Sequence, residues 1–290
     1  MTEQNLRLGI LYMVATTVVF GVQDVLSRHL AETYNVLMVV MIRFWFFAAF
    51  VLTIAVRQTG GLRAAAATSK PGIQTVRGLL LPFEICIMVL AFTLVGLVET
   101  HAIFITYPLL VAALSGPLLG EKVGWRRWTA ITIGFVGVLI ILQPGRGVFS
   151  PVALIPLLSA FLFALYALLT RYVARFDGPA TSFFWTGTLG AAAMTAVGIW
   201  YWEPMTPSDW GLMGALCVTG VLGHWTLIRA YDLAEASAVQ PFAFLQLFWV
   251  AILGVTVFGE KIEPNVALGA VVVLGAGLFT LWRERVRSKS

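Results

Sequence analysis

Residues Glu99–Leu142 read ETHAIFITYPLLVAALSGPLLGEKVGWRRWTAITIGFVGVLIIL, which is two apolar runs separated by a Gly-Glu-Lys tripeptide at 120–122. The pattern returns from Glu235 as EASAVQPFAFLQLFWVAILGVTVFGEKIEPNVALGAVVVLGAGLFTLW, with its Gly-Glu-Lys at 259–261. The two tripeptides lie 139 residues apart (260 − 121) in a chain of 290. A pattern repeated at about half the chain length indicates that one unit was duplicated.

The composition predicts the environment of the chain. Hydrophobic residues make up 59% and charged residues only 11% of it, whereas about a quarter of the residues of a soluble domain are charged. The apolar residues form uninterrupted runs of about 20, the length of a membrane-spanning helix, and lack the short alternating segments of a β-barrel. The sequence therefore predicts an all-α polytopic membrane protein.

Ten transmembrane helices can be placed on the apolar runs. They span roughly 8–27, 35–56, 76–97, 101–119, 126–143, 150–170, 179–200, 209–228, 236–258 and 264–282. The duplication divides them into a first five-helix repeat at 1–145 and a second at 146–290. Because five is odd, the second repeat crosses the membrane in the inverted sense. Inverted repeats are typical of transporters that work by alternating access.

The basic residues predict the orientation. Most of the 19 Lys and Arg residues, among them Arg7, Arg77 and Arg283, fall on the side of the N-terminus. Cytoplasmic loops carry this excess, so both termini are predicted to be cytoplasmic in a multi-pass protein of the inner membrane. The same rule explains the net charge of +5 without a nucleic-acid partner.

Several short motifs resemble a known family. They are Arg43-Phe44 in the second span, Pro108-Leu109 and Gly120-Glu121 in the fourth, Gly223-His224 with Arg229-Ala230 in the eighth, and Ala236–Phe242 opening the ninth. In these the chain is similar to the EamA family of the drug/metabolite transporter superfamily, over essentially its whole length. The resemblance implies ten helices, two inverted repeats, a central cavity and the transport of small metabolites such as amino acids or riboflavin.

Ionisable residues inside the predicted spans are candidates for substrate binding, because each costs roughly 3 kcal/mol when it faces lipid. Asp24 and Arg43 lie about 6 and 12 Å from the same membrane border at 1.5 Å per helical residue. We hypothesise that they form an ion pair. The pair is either structural or a substrate contact, since a guanidinium suits a carboxylate or a phosphate.

A second pair of ionisable candidates comes from the third and eighth spans. Glu84 and His224 lie about 10 and 7 Å from the cytoplasmic border. A carboxylate and an imidazole at one depth suggest a proton relay. The alternative is that His224 bonds to a backbone carbonyl in a helix-packing motif.

The remaining candidates are uncharged. They are Gln23, Tyr107, Tyr166 and Gln246, which can bind substrate or join helices by hydrogen bonds, and Trp225, which can stack on a flat ligand or simply pack. Gln23 and Tyr166 are equivalent in the two repeats, at a spacing of 143 (166 − 23).

The sequence contains no recognisable catalytic, nucleotide-binding or metal-ligand motif, so we predict neither an enzyme nor a cofactor. We predict a secondary active transporter for a small organic metabolite, an amino acid or a heteroaromatic vitamin-like compound. Riboflavin import, a non-transporting membrane assembly or sensory subunit, proton coupling and homodimer formation are left open.

Overall fold

The structure is a computed structural model that describes residues 5–58, 61–120, 124–142, 151–234, 239 and 242–287. Its α-helices are α1 (Leu6–Thr33), α2 (Val36–Gln58), α3 (Leu62–Ala66), α4 (Pro71–Val95), α5 (Leu97–Phe104), α6 (Tyr107–Leu119), α7 (Trp125–Leu142), α8 (Leu154–Val173), α9 (Pro179–Gly198), α10 (Pro207–Leu233), α11 (Leu245–Phe258) and α12 (Pro264–Arg287). Short 3₁₀ turns lie at Pro151–Ala153 and Ile199–Tyr201.

The helices have the length and hydropathy of membrane spans. In the described part of the chain, seven helical segments are long and apolar enough to cross a bilayer, and one of them is α5 and α6 taken together over Leu97–Leu119. Shorter apolar segments occur at Trp128–Leu142, Leu245–Phe258 and Pro264–Ala276. A helix satisfies its own backbone hydrogen bonds, which the hydrocarbon core requires. The predicted all-α, multi-pass membrane class is therefore confirmed, while the count of ten spans stays a prediction.

The repeated Gly-Glu-Lys sequence marks equivalent helix ends. Helices α6 and α11 end at Gly120 and Gly259, whose φ angles of 73° and 65° are left-handed. Glycine adopts this conformation without steric cost and commonly terminates helices for that reason. Residues 121–123 lie outside the described residues, so the structure does not place Glu121.

The helix contacts follow the duplication. Helix α1 packs against α10 and α11, and its repeat-equivalent α8 packs against α4 and α6. Helices α2 and α9, equivalent to each other, pack together, as do α7 and α12. Exchanging the two halves therefore converts the contacts of α1 into those of α8 and leaves the α2–α9 and α7–α12 contacts unchanged.

The fourth predicted span, 101–119, ends where it was predicted to end, but it starts earlier and is interrupted by a turn. It begins at Leu97 and is broken into α5 and α6 by a turn at Ile105–Thr106. Pro108 lies in the first turn of α6, where its missing N–H group leaves no bond unmade. Hydropathy cannot detect this break, because the residues of the turn are as apolar as the helices beside it.

Helices α7 and α12 approach closely through two glycines, which gives a stability prediction. A Cβ atom on Gly269 would lie 2.5 Å from the carbonyl oxygen of Gly137 and would also overlap Ile141. We expect Gly269→Ala to lower the free energy of unfolding by about 1–3 kcal/mol, because the backbone must move apart. Denaturation in mixed micelles measures this change.

The control for this substitution lies on the same helix. A Cβ atom on Gly275 would meet only open space. We expect Gly275→Ala to leave stability unchanged or raise it by up to about 1 kcal/mol, as helix propensity dictates. Equal effects of the two substitutions would contradict the close α7–α12 contact.

Candidate functional site

A central cavity lies where α1, α2, α4, α5, α8, α10 and α11 meet. Its lining comprises Phe20, Gln23, Asp24, Ser27, Arg43, Glu84, Ile85, Met88, Val89, Phe92, Phe104, Phe163, His224 and Gln246. Six of the nine predicted substrate-binding residues are on this lining. The space between the walls is about 440 Å³ when its openings to solvent are included, but the centres of water molecules can occupy only about 40 Å³ of it. The cavity is therefore narrow in this conformation.

Arg43 enters the cavity from α2, with only 3% of its surface exposed. Its Nη2 donates to Oε1 of Gln23 at 3.0 Å and lies 3.3 Å from Nε2 of His224, which accepts. The side chain passes Gly220 of α10, where a Cβ atom would lie 2.6 Å from Nε of Arg43. A guanidinium bonded to these neutral groups keeps its charge available for an anion.

The predicted Asp24–Arg43 ion pair is wrong. Between these two described residues no contact of ion-pair length is formed, and Oδ2 of Asp24 instead lies 3.0 Å from Nε2 of His101 and 3.0 Å from Nε2 of Gln246. Both charges nevertheless face the same cavity. Spacing along the helices predicted their depth, but the bonding partner depends on how each helix is rotated about its axis.

His101 contacts two residues of the cavity lining, Asp24 and Gln246, and the sequence reasoning missed it. The predicted fourth span begins at residue 101, which put this histidine at the membrane border. The structure begins the helix at Leu97 and leaves His101 only 2% exposed. The repeat spacing of 139 matches it to Gln240, a polar residue in a motif of the ninth span, and this match could have identified it. Gln240 lies outside the described residues.

Glu84 enters from α4 and is buried. One of its carboxylate oxygens accepts a hydrogen bond from Ser159 of α8 at 2.6 Å. Glu84 and His224 both line the cavity, but in the described structure they bond to different residues. Glu84 accepts from Ser159, and His224 accepts from Arg43. The proton relay between them stays a prediction.

Aromatic rings form the apolar part of the lining. Phe20, Phe92, Phe104 and Phe163 come from α1, α4, α5 and α8. Phe92 stacks on the His101 ring, with centroids 5.3 Å apart and planes at 9°. A flat ligand ring can pack against such side chains, so the cavity combines charged groups with aromatic surface.

Three of the predicted substrate-binding residues lie outside the cavity lining. Tyr107 is buried and packs its ring against those of Phe104 and Phe163. Tyr166 is buried beside Arg77, and Trp225 is 39% exposed in a separate side crevice, edge-to-face with Tyr12. The role of these three residues in binding stays a prediction.

Arg77 is one of the basic residues that the charge pattern assigns to the cytoplasmic side, but its side chain is buried among other helices. It is fully buried and donates to Oε1 of Gln74 at 2.8 Å, to the Ser182 carbonyl oxygen, and to the hydroxyls of Tyr166 and Thr170 at 3.4 Å each. All of these acceptors are uncharged.

Among the described residues, no group of three His, Cys, Asp or Glu side chains could hold a metal ion.

Comparison with known proteins identifies the family. The model of the EamA-like transporter family matches residues 7–143 and again residues 150–282. The chain belongs to this family, and the predicted resemblance is confirmed. The S-adenosylmethionine uptake transporter of Rickettsia prowazekii is 28% identical over 280 residues, which cover 96% of this chain and 93% of that protein. The riboflavin transporter of Brucella anthropi is 30% identical over 259 residues, covering 87% and 90%.

A solved crystal structure supports the fold. It matches with a TM-score of 0.67 and 17% identity, covering 96% of this chain and 98% of the other. At this identity the match shows the shared fold alone. The apolar helices, the family model and the named relatives together describe a multi-pass membrane protein, a small-metabolite transporter of the EamA family.

Proposed function

We propose that this protein is a secondary active transporter for a small metabolite that carries an amino-acid group and a flat heteroaromatic ring. It works by alternating access between two inverted five-helix halves, residues 1–145 and 146–290, that together provide ten spans. It lies in the cytoplasmic membrane with both termini in the cytoplasm. The excess of Lys and Arg on that side supports this orientation.

The observation that carries the proposal is that a buried basic side chain and a buried acidic side chain lie on different walls of one cavity. Arg43 on α2 offers a guanidinium, and Glu84 on α4 offers a carboxyl group. A substrate carboxylate suits the first, and a substrate ammonium or sulfonium suits the second. Intramembrane charges are costly and usually functional, which favours a substrate that is itself charged at two points.

S-adenosylmethionine has this chemistry, with a carboxylate, an ammonium, a sulfonium and an adenine ring. The relative from Rickettsia prowazekii is named as its uptake transporter. Riboflavin is the second candidate, because four phenylalanines line the cavity and the relative from Brucella anthropi is named as a riboflavin transporter. Riboflavin carries no net charge and makes less use of Arg43 and Glu84.

The narrow cavity supports movement between conformations. Sites for small molecules commonly occupy about 300–1,000 Å³, and one water molecule needs roughly 10–15 Å³ of space for its centre. The 40 Å³ that water centres can reach here admits a few waters but no adenine or flavin ring. Substrate therefore enters only when the walls separate, as they do in an alternating-access cycle.

Ligand-dependent thermal stabilisation of the purified protein tests the substrate class. The panel contains S-adenosylmethionine, S-adenosylhomocysteine, methionine, adenosine and riboflavin. A ligand at 100 times its dissociation constant stabilises the folded state by about 2.7 kcal/mol, which raises the melting temperature by several degrees. We expect S-adenosylmethionine to give the largest shift, and Glu84→Gln to weaken the response to it more than the response to riboflavin.

Transport into vesicles completes the test. Riboflavin as the only stabilising and transported compound would replace the proposed substrate with the second candidate. The absence of both stabilisation and flux across the whole panel would favour a non-transporting membrane subunit.

A further inference from the structure

The contacts of His101 place a hydrogen on one of its two ring nitrogens. Its Nδ1 lies 3.2 Å from the carbonyl oxygen of Leu97 in the preceding turn of α5. A carbonyl oxygen only accepts, so Nδ1 carries the hydrogen. A neutral imidazole has a single N–H group, which leaves Nε2 with a lone pair.

That lone pair faces a carboxylate. Nε2 of His101 lies 3.0 Å from Oδ2 of Asp24, and both side chains are buried. Two acceptors at hydrogen-bond distance in a buried site repel each other, because little water is present to screen them. One proton, carried by either atom, converts the contact into a hydrogen bond.

We propose that Asp24 and His101 together form a proton-binding site in which a proton competes with the cationic group of the substrate. With the proton bound, the pair has no net charge. Without it, Asp24 presents a free carboxylate to the cavity and attracts an ammonium or sulfonium. The competition rests on the proposed function, whereas the proton site itself does not.

The surroundings of the pair fit this role. Gln246 of α11 donates to Oδ2 of Asp24 at 3.0 Å, so the site joins the first half of the chain to the second. The other charged or titratable groups near it are Glu84 on α4, Arg43 on α2 and His224 on α10, which share the cavity, and Arg28 with Glu260, which pair at the start of α5. Helix α8 contributes Phe163 to the lining.

Gln246 also offers a competing arrangement. Its Nε2 lies 3.2 Å from Nε2 of His101 and could donate a second hydrogen there. His101 would then be neutral, with its Nε2 accepting from an amide, and no extra proton would be present. The two arrangements give different protonation states for one nitrogen atom, so they can be distinguished by spectroscopy.

Nitrogen NMR of the protein labelled with ¹⁵N-histidine makes this distinction without any substrate. The chain has three histidines, so His29→Gln and His224→Gln assign the signals by elimination. We expect the Nε2 signal of His101 to be that of a protonated nitrogen in the wild type, and that of an unprotonated nitrogen in Asp24→Asn, where the carboxylate is gone. The same Nε2 signal in both proteins would overturn the proposal, because a proton held between the two groups must alter the signal of this nitrogen.

Proton release on substrate binding tests the competition. S-adenosylmethionine is added to the purified protein in weakly buffered detergent solution that contains a pH indicator. We expect close to one proton released per ligand bound at a pH where the pair is protonated, by linkage of the two equilibria. Asp24→Asn and His101→Gln abolish the release, and His29→Gln, which alters an exposed histidine, preserves it.

The outcomes separate the two proposals. Binding of S-adenosylmethionine without proton release would overturn the competition. A failure of S-adenosylmethionine to bind would reject the proposed substrate, and the NMR comparison would still decide whether Asp24 and His101 hold a proton.

Discussion

Arg43→Ala is expected to weaken substrate binding about 100-fold and to reduce transport correspondingly. The guanidinium is the positive group on the lining of the cavity as described, and it is buried. Removing one partner of a buried charge pair costs about 2–5 kcal/mol, and 100-fold corresponds to about 2.7 kcal/mol. Equilibrium binding of labelled S-adenosylmethionine and its uptake into vesicles measure the two effects.

Two further variants keep this prediction interpretable. Arg43→Lys preserves the charge but loses the planar fork that reaches Gln23 and His224, so we expect an intermediate loss of binding. Arg57→Gln removes an exposed arginine of the same helix and is expected to bind normally. Binding by a folded Arg43→Ala protein that equals the wild type would remove Arg43 from the site.

Glu260→Gln is expected to lower the free energy of unfolding by about 2–3 kcal/mol. The Glu260 carboxylate pairs with Arg28 of α1 and accepts from the backbone N–H groups of Leu97 and Val98, at 2.7 and 2.8 Å. It thus joins the end of α11 to α1 and to the start of α5. A glutamine amide offers one acceptor, and its NH₂ group would face other donors.

The backbone of Gly96 is part of the same contact. Its φ angle is 97°, and a Cβ atom there would lie 2.9 Å from Oε1 of Glu260. Glycine therefore permits both the turn between α4 and α5 and the close approach of the carboxylate. The interaction is largely enclosed, which is why a substantial loss of stability is expected from a change of one charge.

Glu32→Gln is the matched control. Glu32 bonds to the same Arg28 at 2.8 Å, but its side chain is 42% exposed, compared with 15% for Glu260. An exposed helical pair contributes less than about 1 kcal/mol. Denaturation of both variants in mixed micelles compares them directly, and equal losses would show that the enclosed position of Glu260 adds nothing.

The fold was more predictable than the partners within the site. The apolar runs gave the membrane class, and the repeated Gly-Glu-Lys gave two equivalent helix ends, at Gly120 and Gly259. The cost of burying charge also selected Asp24, Arg43, Glu84 and His224, which the structure places on the lining of one cavity. Each of these inferences needs only composition or position along the chain.

The pairing of those side chains was not predictable in the same way. A depth along a helix follows from counting residues, but the direction in which a side chain points also depends on the rotation and tilt of the helix. Asp24 therefore meets His101 where Arg43 was expected, and Arg43 meets Gln23 and His224.

The sequence by itself determined that this chain is a duplicated bundle of membrane helices with charged groups in its interior, because lipid imposes strict rules on composition and length. Only the tertiary structure decided that the fourth span is broken at Ile105–Thr106 and that His101 is buried against Asp24. The physical reason is that hydropathy records which residues avoid water. It contains no information on where an apolar helix turns, or on which acceptor a polar side chain finds once neighbouring helices have packed.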